Sequence, residues 1–211
     1  MQTTHSTFPF AGHRLHQIDF DPATFAPHDI LWLSHHPQIE HCGRKRQMEH
    51  LAGRIAAACA LKAVGVKGVP GTGDQRQPLW PAPWSGSISH CDTRALAVVA
   101  ARPVGIDIEN VLTLALAEEL ESSIISPAER GVLKASGLPF ELALTLAFSA
   151  KESGFKALPL AQQAGTGFMH FRITDIQGEV ITLWTTRQVF QVHWMVDESY
   201  VITLCQTQHR Q

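Results

Sequence analysis

Apolar positions along the chain change rhythm several times, and each change marks an element. Met48, Leu51, Ile55, Ala58 or Cys59, and Lys62 fall at helical spacing within residues 38–64, a stretch nearly free of helix breakers, which predicts the first long helix. Upstream, residues 15–20 form a short strand, and Pro22, Pro27 and Pro37 interrupt the segment between that strand and the helix. Glycines and prolines crowd residues 65–84, so this region reads as a long shaped loop, the kind that often carries function.

Beyond that loop the period shortens to that of strands. Residues 86–90 and 95–100 form two strands joined by the Cys-Asp-Thr-Arg of positions 91–94, a hairpin-like unit. A third strand covers 104–109, where Ile106 and Ile108 alternate with Asp107 and Glu109. A period of two sets both carboxylates on one face and both isoleucines on the other. A capping box, Ser126-Pro-Ala-Glu129, opens a short helix with proline at its first position. A longer helix comes next over 140–158, ended by Pro159, and three strand-like stretches at 168–176, 180–185 and 189–204 close the chain, the last interrupted near Asp197 and Glu198.

The order is strand, helix, strands, then strand, helices, strands. This predicts an α+β protein of two similar α+β halves, 1–102 and 103–211, packed tightly because no low-complexity linker separates them. With 211 residues and 45% hydrophobic content, the chain can bury one sizeable core or two small ones. A net charge of -2 gives no broad basic field, so nucleic acid and anionic lipid are not expected as main partners, and any basic patch is local, as in Arg44-Lys-Arg46. The sequence starts without a charged and then apolar leader, and no apolar run reaches the roughly 20 residues of a membrane helix. Cys42, Cys59, Cys91 and Cys205 form no Cys-x-x-Cys pair and are expected as buried reduced thiols, which fits a cytoplasmic protein.

Candidate chemistry concentrates in two places. Asp107 and Glu109 share a strand face, while Glu152 and Lys156 lie one helical turn apart. Taken singly, each is an ordinary surface feature. Together they are less ordinary, because the charges of residues 151–156 appear abruptly after the apolar run 142–148, and charges inside a buried helix need partners or a metal. Carboxylates are hard ligands suited to magnesium. Three of them would overcompensate a divalent ion, leaving one available as a base or in need of Lys151 or Lys156. His90 alone, at a strand end, carries little weight, and His35, His36 and His41 are expected at the surface. The glycine-containing loop 71–76 lacks the third glycine of a dinucleotide fingerprint and the Gly-Lys-Ser/Thr of a P-loop.

Val104-Gly-Ile-Asp-Ile-Glu109 and Phe148-Ser-Ala-Lys-Glu-Ser-Gly-Phe-Lys156 resemble the two signature motifs of the phosphopantetheinyl transferase superfamily. The resemblance extends to Phe8-Pro-Phe-Ala-Gly-His13, Gly43-Arg-Lys-Arg46, the 49–57 helix segment, Arg76-Gln-Pro-Leu-Trp-Pro81 and Gly86-Ser-Ile-Ser-His-Cys91, and is strongest with the monomeric two-half branch. It implies a pseudo-dimer with the active site in the cleft between the halves. It further implies transfer of 4′-phosphopantetheine from coenzyme A to a serine of apo carrier domains, such as the peptidyl and aryl carriers of siderophore nonribosomal peptide synthesis, with release of 3′,5′-ADP. By the same resemblance Asp107, Glu109 and Glu152 bind Mg2+, Lys156 contacts the phosphates and assists proton movement, and Arg46, Arg54, Ser89, His90 and Asp107 contact coenzyme A. The base that takes the serine proton is Glu152 or a metal-linked water, so Glu152 and Lys156 are the expected catalytic residues. Where relatives read Gly-Lys-Pro this chain has Arg76-Gln-Pro78, and Arg76 is the expected substitute for the lysine. Two other readings compete: a magnesium-dependent phosphohydrolase or nucleotidyl transferase, and a non-catalytic coenzyme A binding module.

Overall fold

The computed structural model describes residues 1–207, which divide into one compact unit over Met1–Ala101 and a second from Arg102 onward. In the first, strands β1 (Thr3–Phe10) and β2 (His13–Phe20) form a hairpin turned by Ala11 and Gly12, both at positive φ. Helix α1 (Arg44–Ala63) comes next, then a two-residue pair, β3 (Gly71–Thr72) and β4 (Pro78–Leu79), then β5 (Ser85–Cys91) and β6 (Arg94–Ala100). The main sheet is antiparallel in the order β1-β2-β6-β5, and α1 packs on it. Small residues make that packing close: Ala52, Ala56, Ala57 and Ala60 are buried, and a Cβ on Gly53 would stand 2.8 Å from Ile88 Cγ2.

The second unit begins with β7 (Val104–Asn110) and continues through helices α2 (Leu114–Ile124), α3 (Pro127–Ala135), α4 (Phe140–Lys156) and the short α5 (Leu160–Gln163). Strands β8 (Arg172–Gln177), β9 (Val180–Trp184), β10 (Val189–Asp197) and β11 (Tyr200–Gln206) complete an antiparallel sheet in the order β7-β11-β10-β9-β8. Leu144, Leu146, Ala147 and Ala150 of α4 bury against Ile181, Leu183, Val192 and Val201 of the sheet. Each unit is thus an antiparallel sheet with a long helix across one face, an α+β arrangement repeated. No single helix among the described residues is long and apolar enough to cross a membrane.

Several expectations need correction. The first helix begins at Arg44, not at 38, because Pro37 holds residues 36–38 in a single 3-10 turn and Gly43 supplies the N-cap. Strand β1 carries little alternation because it is an exposed edge with almost no buried residue, and α2 buries only Ala117 and Ile124, so neither announced itself in the apolar pattern. Strand β7 is buried from Val104 to Ile108 on both faces, so Asp107 is not a surface acid. Of the cysteines only Cys205 is buried; Cys42, Cys59 and Cys91 are half-buried, all four being free thiols.

Candidate active site

In the C-terminal unit the geometry depends on how closely α4 approaches β7. Gly105 makes this possible, since a Cβ there would overlap the Ser153 carbonyl and crowd the Ala157 nitrogen. Thr203, the register partner of Asp107 on β11, ties the same helix down: its Oγ1 donates to the Ser149 carbonyl at 2.9 Å and lies 2.9 Å from Ser149 Oγ. With the helix so placed, Lys156 Nζ reaches Asp107 Oδ1 at 2.7 Å and the Ile106 carbonyl at 3.2 Å. Asp107 is 2% exposed, so this is a charge-assisted bond shielded from water.

Glu152 sits one turn before Lys156, half-buried. Burial pushes its carboxyl pKa above the ordinary range; Lys156 opposes the shift and the nearby charge of Asp107 adds to it. A carboxylate with raised proton affinity beside a fixed ammonium and a second carboxylate is the pattern expected of a proton acceptor. Lys151 belongs elsewhere. Fully buried, it pairs with Glu129 at 2.8 Å and donates to the Ile124 carbonyl at 2.7 Å, so it is a strut between α2, α3 and α4 and not a counter-charge for Asp107 or Glu152.

As to a metal, the donor set has suitable chemistry: Asp107 and Glu152 feel one another's charge, and Glu109 lies two residues further along β7. All are hard oxygen donors of the kind magnesium takes. Among the described residues no three His, Cys, Asp or Glu side chains already stand together as an ion-binding group, and Lys156 is the cation that faces Asp107.

The N-terminal unit gathers cations. Arg46, His50 and Arg54 recur every fourth residue along α1 and so share a stripe of that helix. Arg46 Nη1 lies 3.3 Å from His90 Nε2 at the end of β5, and His90 Nδ1 lies 3.7 Å from Glu49. Ser89, beside His90, is 6% exposed. Arg54 is 4% exposed and donates to the Gly71 carbonyl at 3.1 Å and to Thr72 Oγ1 at 2.7 Å, pinning the start of the loop that carries Arg76. Burial, with Arg46 nearby, lowers its pKa to about 10. Among the described residues Arg54 has no carboxylate partner, and its Nε is buried without a hydrogen bond, an arrangement that favours an anion nearby. Arg44 is different: it donates to the carbonyls of Pro22 and Phe25 and covers the Phe25 ring, a structural role.

A cavity of about 230 Å³ opens on this stripe, lined among others by Cys42, Arg46, His50, Thr72, Asp74 and Arg76. The sequence pointed to Arg46 and Arg76 but missed His50. Its four-residue spacing from both arginines was the available signal. His35 is also misjudged as a surface residue: it is 8% exposed, with Nε2 2.9 Å from His50 Nε2. His36 rests on the Leu33 carbonyl and His41 is exposed.

Residues 34–100 match the 4′-phosphopantetheinyl transferase N-terminal domain, and residues 103–205 match the 4′-phosphopantetheinyl transferase superfamily. The chain belongs to the 4′-phosphopantetheinyl transferase superfamily. It is 53% identical to enterobactin synthase component D of Escherichia coli K12 over 98% of this chain and 99% of that protein. It is 50% identical to the component D of Salmonella typhimurium over 97% and 90% of the two chains. A more distant relative, the 4′-phosphopantetheinyl transferase PptT of Mycobacterium tuberculosis, is 34% identical over 74% of this chain and 69% of that one.

Proposed function

We propose that this protein moves the 4′-phosphopantetheine arm of coenzyme A onto a serine of apo carrier domains, acting in siderophore synthesis of the enterobactin type. The observation that carries the reaction is the Asp107–Lys156 contact of 2.7 Å with Glu152 one turn away, a half-buried carboxylate of raised proton affinity. Family membership and the near full-length likeness to enterobactin synthase component D support the substrate class.

The N-terminal unit, residues 1–102, supplies the phosphate contacts: Arg46, Arg54, Arg76, Ser89 and His90 hold the nucleotide phosphates of coenzyme A, using binding remote from the reaction to set the reacting atoms in line. The C-terminal unit, residues 103–211, supplies the chemistry. The serine Oγ forms a bond to the phosphorus on the pantetheine side of the pyrophosphate as the bridging P–O bond breaks, and 3′,5′-ADP leaves with that electron pair. Glu152 takes the serine proton, and Lys156 donates to phosphate oxygens as charge builds on the leaving group. Asp107, Glu109 and Glu152 would hold a magnesium ion, which when bound neutralises diphosphate charge. The protein works as a monomer in the cytoplasm.

The deciding experiment incubates the protein with coenzyme A, magnesium and an apo carrier domain, read by mass spectrometry. A carrier heavier by one phosphopantetheine group is the expected result. Free 3′,5′-ADP with an unmodified carrier would instead make the protein a hydrolase, and binding without turnover a coenzyme A module.

A further inference from the structure

Two guanidinium groups, Arg46 and Arg76, line the cavity on α1 and a third, Arg54, is bound to Gly71 and Thr72 one turn beyond His50, yet the residue between the two helix arginines is a histidine. A fourth positive charge in that position would be repelled before any ligand arrived. A neutral hydrogen-bond donor would not.

The surroundings of His50 set it up as such a donor. Its Nε2 stands 2.9 Å from His35 Nε2, so the two atoms share one proton. The Nδ1 of His35 is buried and has no hydrogen-bond partner. A buried N–H without an acceptor is rarer and costlier than a bare acceptor, which favours the tautomer in which His35 carries its proton on Nε2 and donates it to His50. His50 then accepts at Nε2 and bears its own proton on Nδ1, the nitrogen left for the cavity that the ring lines. The groups facing His50 keep it neutral. Burial acts first, then Arg54, His35, Arg46 and His90, and together they lower its pKa to about 3; Asp74 and Arg76 line the same cavity, and Glu49, its neighbour on α1, is engaged by Lys45 and His90. The ring of His35 meets that of His50 edge-on, with centroids 5.1 Å apart, which restrains its rotation.

We propose that His50 is a further phosphate-binding residue of this cavity, a neutral imidazole that donates its Nδ1–H to a phosphate oxygen, with His35 as the positioning residue that fixes the tautomer. The proposal rests on the coenzyme A reading above and adds to it a contact that stays uncharged. A neutral donor strengthens binding of a phosphate without adding to the mutual repulsion of the arginines before the ligand arrives.

Titration calorimetry with coenzyme A tests it. His50→Ala should weaken binding roughly tenfold, while His50→Asn, whose side-chain amide can stand in for Nδ1–H, should bind within about threefold of the wild type, in line with one hydrogen bond to a charged group. A donor that carries no charge should give about the same tenfold gap at about pH 7 and about pH 8.5, a range in which the phosphate monoester of coenzyme A stays a dianion. Nitrogen-15 spectra of the wild-type imidazoles need no variant: they should show His50 as the neutral Nδ1–H tautomer before and after coenzyme A is added, with the Nδ1 signal moving on binding. His35→Phe should lose the tautomer preference and part of the affinity. An imidazolium or Nε2–H tautomer at His50 in the complex, an unmoved Nδ1 signal, or full-strength binding by His50→Ala overturns the proposal. Wild-type protein that fails to bind coenzyme A at all refutes the function proposed above, and this contact with it.

Discussion

Removing Glu129 should cost far more than removing its partner Lys151, although the two share one ion pair. Glu129 Oε1 meets Lys151 Nζ at 2.8 Å and accepts the Ile173 N–H at 2.9 Å; Oε2 accepts the Ser126 N–H at 2.7 Å and the Ser126 hydroxyl at 2.8 Å. Burial pushes the Glu129 carboxyl up, but the bond and charge of Lys151 with the N–H groups of Ile173 and Ser126 outweigh it and hold the group below its ordinary range. Lys151 is held less well, since burial drags its ammonium down and Glu129 opposes this without overcoming it; the Ile124 carbonyl and the face of the Phe168 ring are its other neighbours. Glu129→Ala strands a fully buried ammonium, about 3–5 kcal/mol, and leaves two backbone N–H groups needing new partners at about 1–3 kcal/mol each. Since such terms do not simply add, about 5 kcal/mol is a fair total, comparable with the whole stability of a small domain. Lys151→Met leaves the carboxylate with three donors and should cost only about 1–2 kcal/mol. Urea unfolding followed by circular dichroism measures both, and the double variant should be more stable than Glu129→Ala alone because it has no stranded charge. Equal losses in the two single variants, or a double variant worse than Glu129→Ala, would refute the asymmetry.

Three further outcomes are expected. Glu152→Gln should keep its melting temperature while carrier modification slows roughly 10²–10⁴-fold, the usual span for a lost general base; a mass-spectrometric time course with wild-type rates would remove Glu152 from the chemistry. Gly105→Ala should destabilise by about 2–4 kcal/mol, because its methyl group meets backbone and not a yielding side chain, and calorimetric melting at an unchanged temperature would contradict the close α4–β7 contact. Burial, with His5 and Arg14 nearby, lowers His16 to about 4; the folded state therefore resists protonation, and the stability this represents is present above about pH 6.5 and lost as pH falls through 4. That loss is on the order of 3 kcal/mol at most, since each tenfold change in proton affinity is worth about 1.4 kcal/mol, and His16→Asn should flatten the stability curve over that window; an unchanged slope would mean that His16 is not held neutral.

Local rules, legible in one dimension, wrote the local parts of this fold. Repeating apolar positions specified α1 and α4, the capping box specified the start of α3, and strand-like runs between turn residues specified β5 and β6. Of the three closing stretches, 168–176 begins as a 3-10 turn before β8, and 189–204 is two strands, β10 and β11, because the chain reverses between Asp197 and Tyr200. The spacing and motif context that single out Asp107, Glu109, Glu152 and Lys156 survive along the chain, and packing brings Lys156 onto Asp107 with Glu152 close enough to feel both charges. Packing in three dimensions chose the partners. Lys151 and Lys156 look equivalent in the sequence, yet one is buried against Glu129 and the other reaches Asp107, since they emerge on different sides of a helix whose two neighbours are set by Gly105 and Thr203. His35 looked like a surface residue and is a buried partner of His50, a contact that joins a 3-10 turn to α1 across a break no periodicity spans. Pairing energies depend on burial and distance, and both are properties of the packed chain.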